Sequence, residues 1–205
     1  MPKRLRPHVN PLSITKEYSF AGFDNNNPII VDVGACKGEF TAELLEKFPN
    51  KNFVLFEIRV PLAEKLRKKF ENNGNVVVFD GDGGRNFAAI LRPSVEKGIN
   101  LETVYVNFPD PWFKEKHKKR RFITPKFLAE SAKWITGDTE FVFQTDQKFL
   151  FEETLETVEN SIFSNIEFFK EPPFGIRTDW EQAKIKEEDE IFRMKFKKGK
   201  LFLGM

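Results

Sequence analysis

Five short apolar runs punctuate the first three quarters of the chain: Ile29-Ile30-Val31-Asp32-Val33, Phe53-Val54-Leu55-Phe56, Val76-Val77-Val78-Phe79, Thr103-Val104-Tyr105-Val106 and Glu140-Phe141-Val142-Phe143. Near-continuous hydrophobicity over so short a stretch predicts strands of a sheet covered on both faces. Between them, apolar residues recur at helical spacing. Phe40, Leu44, Leu45 and Phe48 predict a helix stopped by Pro49-Asn50. Leu62, Leu66 and Phe70 predict a second, opened by Pro61 and closed by Asn73-Gly74. A short helix is expected near Phe87–Leu91, one over Pro125–Ile135 with Thr124 as N-cap, and one over Phe149–Val158. Strand and helix alternate, so the fold class is α/β with a doubly wound, mostly parallel sheet. After about residue 160 the rhythm changes to Ile166-Glu167-Phe168-Phe169 and to the alternating Glu190–Phe196. Alternation predicts a half-buried strand with a wet face, and these two segments are expected to form an antiparallel C-terminal edge.

The chain's 205 residues suit one domain. Residues 1–27 are basic at their start and end in the turn-rich Asp24-Asn25-Asn26-Asn27-Pro28, so they read as an N-terminal extension ahead of a domain over 28–205. No apolar run approaches the ~20 residues of a membrane span, and the basic start lacks the apolar centre of a signal peptide. A single Cys excludes an internal disulfide framework and a Cys-based zinc cluster. The expectation is a cytoplasmic protein with no membrane partner and no metal, monomeric or homodimeric. The net charge of +2, from 33 Lys and Arg against 31 Asp and Glu, looks uninformative. Its distribution is not. Lys114 to Arg121 carries a local +5, offset by Glu187-Glu188-Asp189-Glu190.

Ligands of an open α/β sheet bind at the carboxyl ends of its strands. Asp32, Glu57, Asp82 and Asp146 fall at or beside those ends, and Gly34-Ala35-Cys36-Lys37-Gly38 follows the first strand. The loop is neither G-x-G-x-x-G nor a P-loop, which disfavours a nicotinamide dinucleotide or a nucleoside triphosphate. Glu57 is suited to accept both hydroxyls of a nucleoside ribose, and Asp82 to meet its base. Taken singly, each acid is as well explained as a helix cap or a solvated turn.

The most informative segment follows the fourth strand: Asn107-Phe108-Pro109-Asp110-Pro111-Trp112-Phe113-Lys114-Glu115-Lys116-His117-Lys118-Lys119-Arg120-Arg121. Its prolines fix φ on either side of Asp110 and bias Phe108 and Asp110 towards extended backbone. Trp112 is suited to stack on a base. A cation run is usually a solvated face; next to a rigid acid and an aromatic it favours nucleic acid. Most Phe residues fall at core positions, leaving Trp112 and Trp180 as the stacking candidates.

From Phe108 to Arg121 the chain resembles the bacterial tRNA (guanine-N7)-methyltransferases, whose hallmark is F-P-D-P-W followed by Lys and a Lys/Arg/His cluster. The likeness runs from about Ile29 through Val31-Asp32-Val33-Gly34, Phe56-Glu57-Ile58-Arg59, Gly81-Asp82, Thr145-Asp146 and Thr178-Asp179-Trp180-Glu181. Cys36 stands where the family pattern has a central Gly, and Asp179-Trp180 depart from its T-x-F-E. The resemblance implies a Rossmann-like class I methyltransferase that uses S-adenosylmethionine to methylate N7 of a variable-loop guanine in tRNA. It implies cofactor contacts by Asp32, Gly34, Glu57, Asp82 and Asp110, with Asp110 catalytic. Lys114, Asp146, Thr178 and Glu181 would hold the substrate, and Lys116, His117, Lys118, Lys119, Arg120 and Arg121 the tRNA backbone. Two other readings stay open. One is an exocyclic-amine methyltransferase, whose Asn-Pro-Pro-aromatic motif is partly echoed at Asn107. The other is a non-catalytic RNA-binding module on the same scaffold.

Overall fold

The computed structural model describes residues 9–163 and 165–199; the basic Lys3, Arg4 and Arg6 of the extension and residues 200–205 lie outside the described residues. The five apolar runs form five parallel strands: β1 (Ile29–Val33), β2 (Asn52–Glu57), β3 (Val76–Asp80), β4 (Leu101–Asn107) and β5 (Glu140–Thr145). Their connections carry α1 (Glu39–Lys47), α2 (Val60–Lys69), α3 (Gly83–Glu96) and α4 (Pro125–Ser131), and α5 (Lys148–Glu159) follows β5. The later segments form β6 (Asn165–Phe168), α6 (Asp179–Lys186) and β7 (Phe192–Lys197). β7 runs antiparallel between β5 and β6, giving the order β3-β2-β1-β4-β5-β7-β6. The antiparallel edge is therefore present, with the last strand inserted one place in from the rim.

Successive strand residues feed opposite faces. Val31, Val54 and Phe56 join one apolar cluster with Phe87, Phe127 and Phe141; Ile30, Phe53 and Leu55 join another with Phe40, Leu44 and Leu66. The Phe surplus fills the first cluster, where Phe141 stacks on Phe196 with ring centres 5.1 Å apart. Such aromatic pairs contribute beyond the area they bury.

Two helices depart from the sequence pattern. α3 runs the length of Gly83–Glu96 instead of a short stretch near Phe87–Leu91. Asp82 caps it, accepting from the backbone N–H of Gly84 at 3.1 Å and of Arg85 at 3.3 Å. Gly83 brings the helix start against β2, since a Cβ there would lie 3.2 Å from Cβ of Phe56. α4 stops at Ser131, not Ile135, because the chain tightens into i→i+3 turns at Lys133 and Trp134. Thr124 caps it as expected, accepting from Phe127 N–H at 3.1 Å.

The segment before β1 is pinned to the body. Tyr18 donates its hydroxyl to the Asp80 carbonyl at 2.5 Å, Lys16 pairs with the Asp80 carboxylate at 2.8 Å, and Phe23 is buried in the first cluster. Among the described residues, no helix is long and apolar enough to cross a membrane, and no group of three or more His, Cys, Asp or Glu could hold a metal.

β1 lies between β2 and β4. The chain winds outward from β1 to β3, then returns to β4 on the other side. Strand order reverses there, so a crevice opens above the carboxyl ends of β1 and β4.

Candidate active site

Gly34 leaves β1 at φ +79, and a Cβ there would meet nothing within 4 Å. The loop's backbone is thus open to a ligand. Cys36, in place of the expected glycine, takes the same left-handed region at φ 55. Its N–H donates to Glu57 Oε2 at 3.0 Å. Arg59 closes over the same carboxylate, donating its backbone N–H and Nε to Oε1 at 2.9 and 2.8 Å and Nη2 to Oε2 at 2.8 Å. The four acceptor positions of Glu57 are therefore taken. A ligand would reach the Glu57 carboxylate only by displacing the Arg59 guanidinium.

Asp32, fully enclosed at the end of β1, accepts from the Thr41 hydroxyl at 2.7 Å. Burial pushes its carboxyl up to about 6, the Thr41 hydrogen bond works against this, and the Glu57 charge adds to it.

The Asn107–Trp112 loop leaves β4 sharply. Phe108 has φ +48, not the extended backbone that Pro109 predicts, and Trp112 has φ +44. Phe108 N–H continues the sheet ladder to Gln144 O at 2.8 Å while its ring is buried, so the turn off the sheet falls on this residue. Non-glycine residues in this region cost about 1–3 kcal/mol and persist where surroundings overdetermine them. Arg121 supplies much of that constraint. It donates to the carbonyls of Pro111 at 3.0 Å and Trp112 at 3.3 Å and pairs with Glu153, leaving its side chain 9% exposed.

A continuous cleft brings Gly34, Glu57, Asp82 and Asp110 together with Trp112 and Arg120. An adjoining half is lined by Asp32, Cys36, Thr178, Asp179 and Trp180. The two share Gly34, Asn107 and Phe108. A nucleoside bearing free hydroxyls fits the first half: Gly34 offers the clearance, and Glu57 offers the acceptors once the Arg59 guanidinium is displaced.

The other expected residues divide. Thr178 caps α6, accepting from Glu181 N–H at 3.1 Å, so the T-x-x-E spacing also serves as a helix start. Glu181 turns inward: its carboxylate is buried against Arg193 at 2.6 Å and Gln144 at 3.4 Å. Arg193 is correspondingly buried, against the expected wet face of β7, because α6 covers it. Asp146 lies 3.5 Å from Lys184, which also pairs with Asp189 at 2.8 Å.

The basic run forms a six-residue 3-10 helix, Glu115–Arg120. Lys118 pairs with Glu115 and Glu153 at 2.8 and 2.9 Å. Arg120 stacks on the Trp112 ring, 4.9 Å from its centre, which covers one face of the expected base platform. His117 is held below the usual imidazole range, first by desolvation and then by Arg120, Lys116 and Lys114. Lys114, Lys116 and Lys119 are exposed and make no ion pair among the described residues.

Sequence reasoning missed Arg59, Gln144, Arg193 and Phe113. Gln144 and Arg193 sit opposite each other in the β5–β7 register, which becomes readable only once the strand pairing is known. Phe113 breaks the rule that Phe is core. It is 66% exposed beside Trp112, resting on Phe149 at 5.3 Å between ring centres.

The model of the family described as "Putative methyltransferase" matches residues 26–194. A tRNA (guanine-N(7)-)-methyltransferase of Prochlorococcus marinus is 33% identical over 96% of this chain and 98% of its own length. One from Thermosynechococcus vestitus is 34% identical over 70% of this chain and 69% of its own. Among solved structures, a SAM-dependent O-methyltransferase from Thermotoga maritima superposes with a TM-score of 0.56 at 16% identity, covering 85% of this chain and 60% of that one. That likeness shows the Rossmann-like class I fold.

Proposed function

This chain belongs to the tRNA (guanine-N(7)-)-methyltransferase family, and from that premise we propose that it methylates N7 of the variable-loop guanine in tRNA, with S-adenosylmethionine as donor. The observation that carries the reading is the arrangement of Asp110 between two prolines at the switch-point end of β4, lining one cleft with Gly34 and Glu57 and leading directly into the exposed cations Lys114, Lys116 and Lys119.

When bound, the cofactor supplies a methyl group activated by a sulfonium. Guanine N7 carries an in-plane lone pair, so no proton leaves before attack and no general base is required. The protein's task is alignment, with reacting atoms held at about 3–3.5 Å. Glu57 takes the ribose hydroxyls once Arg59 yields, and Gly34 lets the loop backbone approach. The methylated base is cationic. A fixed carboxylate at Asp110 stabilises charge that grows in the transition state, and its rigidity spares reorganisation at that moment. Thr178 and Asp179 wall the half that receives the base. Glu181 acts on them from beneath, through Arg193, by seating α6.

The test is product identity. Incubate the full chain with unmodified tRNA and S-adenosylmethionine, digest to nucleosides, and analyse by chromatography and mass spectrometry. 7-Methylguanosine is expected. N6-methyladenosine would support an exocyclic-amine enzyme instead, and no methylated nucleoside would leave an RNA-binding module.

A further inference from the structure

Asn107 ends β4 and lines both halves of the cleft. Of the three residues shared by the halves, Gly34 has no side chain and Phe108 offers a hydrocarbon ring, so Asn107 is the polar side chain at their junction. Its Nδ2 is buried and has no hydrogen-bond partner among the described residues. A buried donor left unpaired forfeits the hydrogen bonds it made to water in the unfolded chain. The other polar groups around it are satisfied, Glu57 by Cys36 and Arg59, Asp32 by Thr41 and Gln144 by Glu181 and Arg193. Arg120 Nε is a second donor of the cleft without a hydrogen-bond partner among the described residues, but it lines the first half and not the second. An acceptor brought to the junction of the two halves would satisfy Nδ2 once the Asn107 amide turns towards it.

Building on the proposed methylation of guanine N7, we infer that Asn107 selects guanine by donating Nδ2–H to O6 of the accepting base. N7 and O6 lie side by side on one edge of guanine, both acceptors, whereas adenine carries N7 beside an N6 amine donor. With N7 turned to the transferred methyl, the neighbouring position on that edge falls at Asn107. Guanine relieves the orphaned donor there. Adenine would set two donors against each other and leave both unpaired, the asymmetry by which buried polar sites reject analogues most strongly. Asn107 thus reads the edge opposite the N1–H and N2–H donors that carboxylates would take. It is a specificity residue, distinct from the charge-stabilising role of Asp110.

The experiment is a double-mutant cycle between protein and RNA. A tRNA is assembled with guanosine or 2-aminopurine riboside at the accepting position; the analogue keeps N7 and the 2-amino group but lacks O6 and the N1 proton. Binding of each RNA and single-turnover methyl transfer are measured for wild type, Asn107→Ala and Asn107→Asp. S-adenosylhomocysteine affinity is measured by calorimetry, and folding by thermal melting. The lost N1 proton penalises all enzymes alike, so the difference between penalties isolates O6. The wild-type penalty for the analogue is expected to exceed that of Asn107→Ala by roughly 10-fold in binding and in rate. S-adenosylhomocysteine affinity should stay within about 3-fold of wild type, a difference under 1 kcal/mol. Asn107→Asp, which keeps the shape but removes the donor, should be the slowest on guanosine. Equal penalties in all three enzymes would overturn the inference, as would a loss of S-adenosylhomocysteine affinity as large as the loss of rate. Wild type that makes no 7-methylguanosine on the natural tRNA would instead overturn the proposed function.

Discussion

In the proposed mechanism Asp110 stabilises the transition state, and its contribution should be separable from binding. Asp110→Ala removes a preorganised charge from the cleft and is expected to lower the single-turnover rate by about 100-fold, in the range found for a lost transition-state-stabilising group. S-adenosylhomocysteine affinity should change far less; near-wild-type turnover would remove Asp110 from the mechanism. Asp32 yields a pH signature. Its carboxyl is pushed up to about 6 by burial, so the folded state holds the proton more tightly than the unfolded chain. The stabilisation is complete below roughly pH 4 and is lost as pH rises through about 6, a change on the order of 3 kcal/mol. Asp32→Asn, which stays neutral, should match wild type near pH 4 and exceed it by about that amount at pH 8 in urea unfolding. Parallel stability curves would contradict the burial argument. Cys36 gives a smaller effect. At φ 55, Cys36→Gly relieves about 1–2 kcal/mol of backbone strain against the entropy that glycine adds to the unfolded chain, so urea unfolding should show stability equal to wild type or up to about 1 kcal/mol higher.

At the scale of elements, the buried Glu181–Arg193 pair joins α6 to β7 beneath the cleft. Arg193→Met leaves the buried Glu181 carboxylate with Arg177, 3.5 Å away, as its remaining cation, and should cost about 3 kcal/mol, much of it restored by adding Glu181→Leu. Loss that the second change does not restore would show that the pair's geometry, not its charge balance, holds α6. The strands were legible in the sequence because parallel strands covered on both faces read as unbroken apolar runs, as at Ile29–Val33. α3 was under-read because Gly83 and Pro93 look like breakers. Gly83 is there for close packing against Phe56, and α3 runs on past Pro93 to Glu96 although that proline lacks the N–H that would bond to the Ala89 carbonyl. The acids of the cleft were legible as well, since strand-end position alone brings Glu57, Asp82 and Asp110 together. What hid was their partnering. Neither the closure of Arg59 over Glu57 nor the burial of Arg193 leaves a mark on a chain whose register is unknown.

For the whole molecule, the near-neutral charge conceals a narrow basic surface, the one proposed to face RNA. The cations of the run are not equivalent: Lys118 and Arg121 brace the loop through Glu153, while Lys114, Lys116 and Lys119 face outward. Changing the latter three to Gln should reduce the slope of log K against log salt for tRNA binding by about 2–3, near 0.7–0.9 per lost phosphate contact. Lys118→Gln should leave the slope unchanged, and an equal loss there would mean that Glu153 does not hold it. The central claim, methylation at N7 of the variable-loop guanine, is tested most directly by one substitution in the RNA. A tRNA carrying 7-deazaguanosine at that position alone keeps every other donor and acceptor of the base but has no N7 to methylate. The full chain should transfer labelled methyl from S-adenosylmethionine to the natural tRNA, about one per molecule, and none to the deaza form. Undiminished labelling of the deaza tRNA would contradict it.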